Sequence, residues 1–185
     1  DPGAGGDLWQ WEEIESLSAR HHNVQVPDDA VSVHVLLLDG RYDDQDGRMV
    51  FGLADQHRIV VLFQDAIEQS CVAATAELGR GQMFEQRLCE QAQLTILSHE
   101  LGHTFGLVNS GVPMVHDHED PNYPAHDISP ECVMNAFYNG QAAIDEIRGR
   151  LMRDKDPGIH FCEECLLDLQ RFREEAEGSS EDESS

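Results

Sequence analysis

The segment from Gln82 to Gly106 constrains the fold of this chain more than any other. Phe84, Leu88, Ala92 and Ile96 fall four residues apart, and Leu97 and Leu101 widen the stripe. That spacing predicts a long helix with one buried face. Toward its end stands "HELGHTFGLVN", His99 to Asn109. On a helix, residues i and i+4 share a face, with Cβ atoms about 5–6 Å apart. His99 and His103 can therefore turn their imidazoles onto one metal ion, while Glu100 reaches a water there without ligating the metal. Gly106 follows, a residue suited to ending a helix and turning the chain back.

The 185 residues suit one domain large enough to bury a core. Thirty-six acidic residues against twelve basic ones leave a formal net charge of -24, and Lys155 is the single lysine. Such a field repels polyanions, so neither nucleic acid nor an anionic membrane surface is expected as a partner. It favours solubility, in keeping with a saline or calcium-containing medium. The longest apolar runs, "VLLL" (Val35 to Leu38) and "IVVLF" (Ile59 to Phe63), have strand length and fall short of the roughly 20 residues a bilayer needs. No membrane insertion is expected. Residues 1–7, "DPGAGGD", read as a flexible tether left when a signal, anchor or propeptide was removed, or as an arbitrary start. The first reading favours a secreted or cell-envelope protein, with the cytoplasm as the alternative.

Ahead of the long helix, Leu8, Trp11, Ile14 and Leu17 recur at helical spacing with acids between them. "VSVHVLLLD" (Val31 to Asp39), "RMVFGLAD" (Arg48 to Asp55) and "RIVVLFQDAI" (Arg58 to Ile67) read as three strands. Residues 107–138 lack any period and read as loop, while "GQAAIDEIRGRLMRD" and "CEECLLDLQRFREEAE" read as two further helices. The expected class is α+β, with helices packed on a mixed twisted sheet and a small helical part at the C-terminal end. Residues 8–175 would form one domain, its upper part about 8–106 and its lower part about 107–175. Residues 176–185 are a low-complexity acidic stretch expected to be disordered.

The His99–Gly106 motif and the later "HDISPECVM" (His126 to Met134) and "CEEC" (Cys162 to Cys165) resemble the metzincin clan of zinc peptidases, and within it the archaemetzincins. The clan pattern is H-E-x-x-H-x-x-G-x-x-H, followed by a methionine turn; in the archaemetzincins it continues as H-C-x4-C-x-M and a later C-x-x-C. In element order the likeness covers roughly residues 31–165, with specific motifs only from His99 onward. It implies a metzincin-like fold and zinc-dependent hydrolysis of peptide bonds through a metal-bound water, with Glu100 as general base. Met134 would form the apolar floor beneath the zinc histidines. Extended substrate would pair with an edge strand near "FGLADQHRIVVLF". Two departures stand out: about seventeen residues are inserted before the next matching histidine, and Asp127 stands where the family has cysteine.

Asn109 falls where the clan has its third histidine and is a poor zinc ligand. His126, His118 and His116 are the candidates to replace it, with Asp117 and Asp120 as carboxylate versions. The spacing of His126 to Cys132 and Met134 matches the family. A second, structural zinc is the other expectation. Five cysteines cannot all pair as disulfides, and Cys162 and Cys165 have a metal-gripping spacing. The resemblance implies a set of Asp127, Cys132, Cys162 and Cys165, with His160 as another option for the fourth ligand. Cys71 and Cys89 remain, able to pair in an oxidising compartment. Three rival readings of the whole are an inactive zinc-stabilised binding module, a zinc amidase acting on a non-peptide amide, and an acidic interaction protein acting through its tail.

Overall fold

The computed structural model describes residues 8–27, 30–44, 48–55, 58–76, 78–153 and 159–182, so the segment 1–7 read as a tether lies outside the described residues. Strand β1 (Leu8–Trp9) leads into α1 (Trp11–His21), which buries Ile14 and Ser18 and exposes its acids. Strands β2 (His34–Leu38), β3 (Arg41–Tyr42), β4 (Gly52–Ala54) and β5 (Ile59–Phe63) follow. β1 pairs with β3, and the main sheet has the order β2-β5-β4, with β2 parallel and β4 antiparallel to β5. Central β5 is buried along its whole length, which is why it reads as an unbroken apolar run. On β2, Leu36 and Leu38 are buried while Val35 and Leu37 are exposed, so that strand covers the core with one face.

Helices α2 (Gln64–Thr75) and α3 (Gln82–Thr104) pack on one another, and α3 also contacts β4 and β5. Leu88, Ala92 and Ile96 are wholly buried along α3. Beyond it lie the short hairpin β6 (Glu119–Asp120) and β7 (Tyr123–Asp127), a 3-10 turn at Ala136–Asn139, then α4 (Gln141–Met152) and α5 (Glu163–Asp182). The class is mixed α+β, with five α-helices and small sheets among the described residues.

Three expectations change. The strand read from Arg58 to Ile67 ends at Phe63, and α2 begins at once. Its buried stripe is Ala66, Ile67, Ser70, Cys71, Ala74 and Thr75, helical in period but, Ile67 apart, built of small residues that give little hydrophobic signal. Residues 107–138, read as loop throughout, hold β6, β7 and the 3-10 turn. Finally, α5 runs to Asp182, across much of the stretch expected to be disordered. Ion pairs one turn apart, Arg171–Glu175 at 2.9 Å and Arg173–Glu177 at 2.7 Å, favour helix on its exposed surface. Cys71, on α2, and Cys89, on α3, are free thiols.

Candidate metal centres

The last turns of α3 carry the first group. His99 is fully buried, and its Nδ1 lies 2.7 Å from the Val133 carbonyl. A carbonyl only accepts, so Nδ1 holds the proton and Nε2 keeps its lone pair. His126, on β7, has the same arrangement, with Nδ1 2.9 Å from the Pro124 carbonyl. Nε2 of His103 lies 3.2 Å from Nε2 of His99, and the His126 ring centroid is 5.2 Å from that of His99 and 4.9 Å from that of His103. One ligand atom from each of the three lies within 4.8 Å of the others. Two nitrogens held tetrahedrally at about 2.0–2.1 Å from one zinc would be about 3.4 Å apart, so the spacing fits. Burial depresses the His99 pKa to about 4 and the His103 pKa to about 3. Both imidazoles are thus neutral near pH 7, the form that binds metal.

Glu100 is 2 % exposed, and burial raises its pKa to about 8. Among the described residues its Oε1 has no hydrogen-bond partner. The side chain lies against the backbone of Gly52 on β4, where an added Cβ would stand 2.8 Å from that oxygen. A buried carboxyl oxygen without a partner, on the residue next to His99, is a polar gap of the kind that an ordered water or ion would satisfy.

The chain reaches this arrangement by a sequence of turns. Gly106, at φ +80°, closes α3: the Leu107 amide donates to the Gly102 carbonyl and the Gly106 amide to that of His103, both at 3.0 Å. Val108 and Asn109 follow with φ of 51° and 62°. Asn109 is thus a turn residue, its side chain donating to Glu119 at 3.3 Å. Met134 is fully buried beneath α3, against Gly102. The Asp127 amide donates to the Met134 carbonyl at 2.9 Å, and the Asn135 side chain donates to the Asp127 carbonyl at 2.7 Å. These bonds tie β7 to the methionine turn.

A second group gathers His118, Asp127, Cys162 and Cys165, again with ligand atoms within 4.8 Å of one another. Asp127 Oδ2 accepts from the Cys162 thiol at 3.0 Å and lies 3.6 Å from Cys165 Sγ. Cys132 Sγ lies 3.6 Å from Cys165 Sγ and accepts the Cys162 amide at 3.3 Å. Two thiolates on one zinc at about 2.3 Å would be about 3.8 Å apart, so these thiols are close to ligand spacing. Hydrogen bonding from Cys132 lowers the Cys162 pKa. Burial raises the Asp127 pKa.

His118, weighed as a third ligand for the first group, lies instead beside Asp127 in the second. His116 is exposed and paired with Glu164 at 2.8 Å, and Asp120 accepts the Asn122 amide at 2.8 Å. His160 meets this region through its backbone, its carbonyl accepting from Val133 at 2.9 Å. Tyr138 is buried and donates to the Pro130 carbonyl. Asp168, which the sequence reading left out, is fully buried and bonded to His118. Its signal was present, an acid three residues after Cys165 among apolar neighbours on the last helix.

Fold and site together define an α+β protein with, among the described residues, two side-chain groups that could each hold a metal ion. Comparison with protein-family models, with curated proteins and with solved structures gives no match for the chain.

Proposed function

We propose that this chain is a metzincin-like, zinc-dependent metallopeptidase. The observation that carries the reading is the convergence of three imidazoles at the end of α3, where Glu100, next to His99, is buried and its Oε1 has no partner among the described residues. His99, His103 and His126 would hold the catalytic zinc. Such an ion supplies Lewis acidity toward a carbonyl and lowers the pKa of a water toward neutrality. Glu100 takes the proton from the attacking water and delivers it to the leaving amine. Its walls of Ile96 and Gly52 exclude solvent from the carboxylate and hold it in one place. Met134 and the Val133 carbonyl fix the histidine helix from below. Strand β4 lies at the end of its sheet and carries Gly52 beside Glu100, so an extended peptide pairing with β4 would pass the site. The orphaned carboxylate speaks against an inert binding module, because a closed structural metal site has no use for it.

A second zinc belongs to this reading, held at the cysteine group as a structural staple between the methionine turn and α5. The donor chemistry supports it: three thiols close together and partly buried suit zinc better than calcium or magnesium.

The deciding experiment replaces Glu100 by Gln, which keeps the volume and removes the base. Hydrolysis of a quenched peptide library should fall at least about a hundredfold, with zinc content unchanged. Hydrolysis at the parent rate would end the proposal. His126→Ala should lower zinc occupancy and activity together.

A further inference from the structure

We infer that His118, backed by Asp168, aims the Asp127 carboxylate at the second metal site, so that Asp127 Oδ2 is the oxygen ligand beside Cys162 and Cys165. The inference rests on the reading of the cysteine group as a zinc site. It makes His118 and Asp168 positioning residues of that site, supplied by the inserted segment and by α5.

The starting observation is a chain of three buried ionisable side chains, Asp127, His118 and Asp168. Carboxylates are seldom buried in this way unless they are paired. His118 Nδ1 lies 2.7 Å from Asp127 Oδ2, and its Nε2 lies 2.8 Å from Asp168 Oδ2. Carboxylate oxygens accept, so a ring with a proton on each nitrogen donates to both and balances part of their charge. Both ring nitrogens are thereby engaged, and the atom that meets the thiols belongs to Asp127. Its Oδ2 lies 3.0 Å from Cys162 Sγ and 3.6 Å from Cys165 Sγ. A metal binding there displaces the thiol protons and leaves Oδ2 facing the ion.

The rest of the chain is tied down. Asp127 Oδ1 accepts the Ser129 amide at 2.6 Å, and Asp168 Oδ1 accepts the Val115 amide at 2.7 Å. The His118 carbonyl accepts the Ile128 amide at 2.9 Å, which holds the backbone of His118 beside β7. Asp168 stands on α5, the helix that also carries Cys165. These bonds keep Asp127 in the orientation that points Oδ2 at the thiols. Ligating carboxylates are commonly held by such outer partners, and losing one costs about 10- to 100-fold in metal affinity.

A network that merely braced the inserted segment would matter equally whatever residue stood at position 127. Chelator competition on the full chain, with cadmium-113 in place of zinc, separates the two roles. His118→Ala should weaken the cysteine site about 10- to 100-fold. Asp127→Cys should still hold the metal and move the cadmium resonance downfield, as a sulfur replaces an oxygen. In that background His118→Ala should leave the affinity unchanged, because no carboxylate remains to be aimed.

Equal weakening in both backgrounds, or none in either, overturns the inference, as does a resonance that Asp127→Cys leaves in place. The unsubstituted protein gives a further reading that needs no variant to fold. In its cadmium form both His118 ring nitrogens should carry protons, and neither should couple to cadmium. Coupling from cadmium to the His118 ring overturns the inference and leaves the second site standing. Absence of any cysteine-coupled cadmium overturns both, and none of these results touches the Glu100 test of hydrolysis.

Discussion

Gly52 is where a single methyl group would reach the proposed chemistry. A Cβ there would stand 2.7 Å from Ile96 Cγ2 and 2.8 Å from both Cγ and Oε1 of Glu100. Gly52→Ala must therefore push the carboxylate, and kcat should fall about tenfold or more while zinc content stays at the parent level. An unchanged kcat would show that Glu100 is not held where the proposal needs it. Asn109 makes the complementary case, since it sits at the motif position of a ligand yet serves as a left-handed turn residue. Asn109→Ala should cost about 1 kcal/mol in urea unfolding, the usual penalty for a side chain without local hydrogen bonding in that conformation. Zinc at the histidine group should be unaffected. That Asn109 could not ligate was legible in the sequence. That His126 joins the helix histidines was legible only through the spacing of the resembled pattern, and that His118 lies in the cysteine group was not legible, because local pattern cannot tell His118 from His126 in one polar stretch.

Strand β7 separates them. Successive residues on a strand point to opposite faces. His126 therefore joins the helix histidines while Asp127, its neighbour, joins the cysteines. "YPAHD" gives no such hint, since a proline and four mixed residues carry no apolar alternation. The long helix was legible because its stripe is built of large side chains, and α2 was not because its stripe is mostly alanine, serine and cysteine. What α3 does at its floor could be read only from packing. Gly102 lies in the last turn of α3, and alanine in a helix ordinarily stabilises over glycine by up to about 1 kcal/mol. Here a Cβ would collide with the Met134 sulfur and stand 3.0 Å from Phe161. Gly102→Ala should thus destabilise by about 1–3 kcal/mol, the cost of overpacking a filled core. Adding Met134→Ala should recover part of that loss, measured by the same unfolding experiment as a double-mutant cycle. A stabilised Gly102→Ala protein would contradict the close packing of the methionine turn on the helix.

Across the whole molecule the dominant physical fact is the charge of -24 on 185 residues. Two opposing effects respond to salt. Pairs such as Arg171–Glu175 and Arg150–Glu146 are attractive, each worth about 0.3–0.5 kcal/mol and weakened by screening. Repulsion among the unmatched acids is also screened. Two like charges about 10 Å apart in water cost about 0.4 kcal/mol, so a like-charged neighbour at that distance roughly cancels one such pair. With three acids for every base, like neighbours outnumber opposite ones, and repulsion wins. Salt should therefore stabilise this protein. Raising sodium chloride from about 0.01 M to about 1 M shortens the Debye length from about 30 Å to about 3 Å. Removing even about 1 kcal/mol of net repulsion would raise the melting temperature of a chain this size by roughly 2–4 °C. Calorimetry of the zinc-loaded protein across that salt series provides the measurement. A melting temperature that falls with salt would mean that the arginine pairs, few as they are, outweigh the excess of carboxylates.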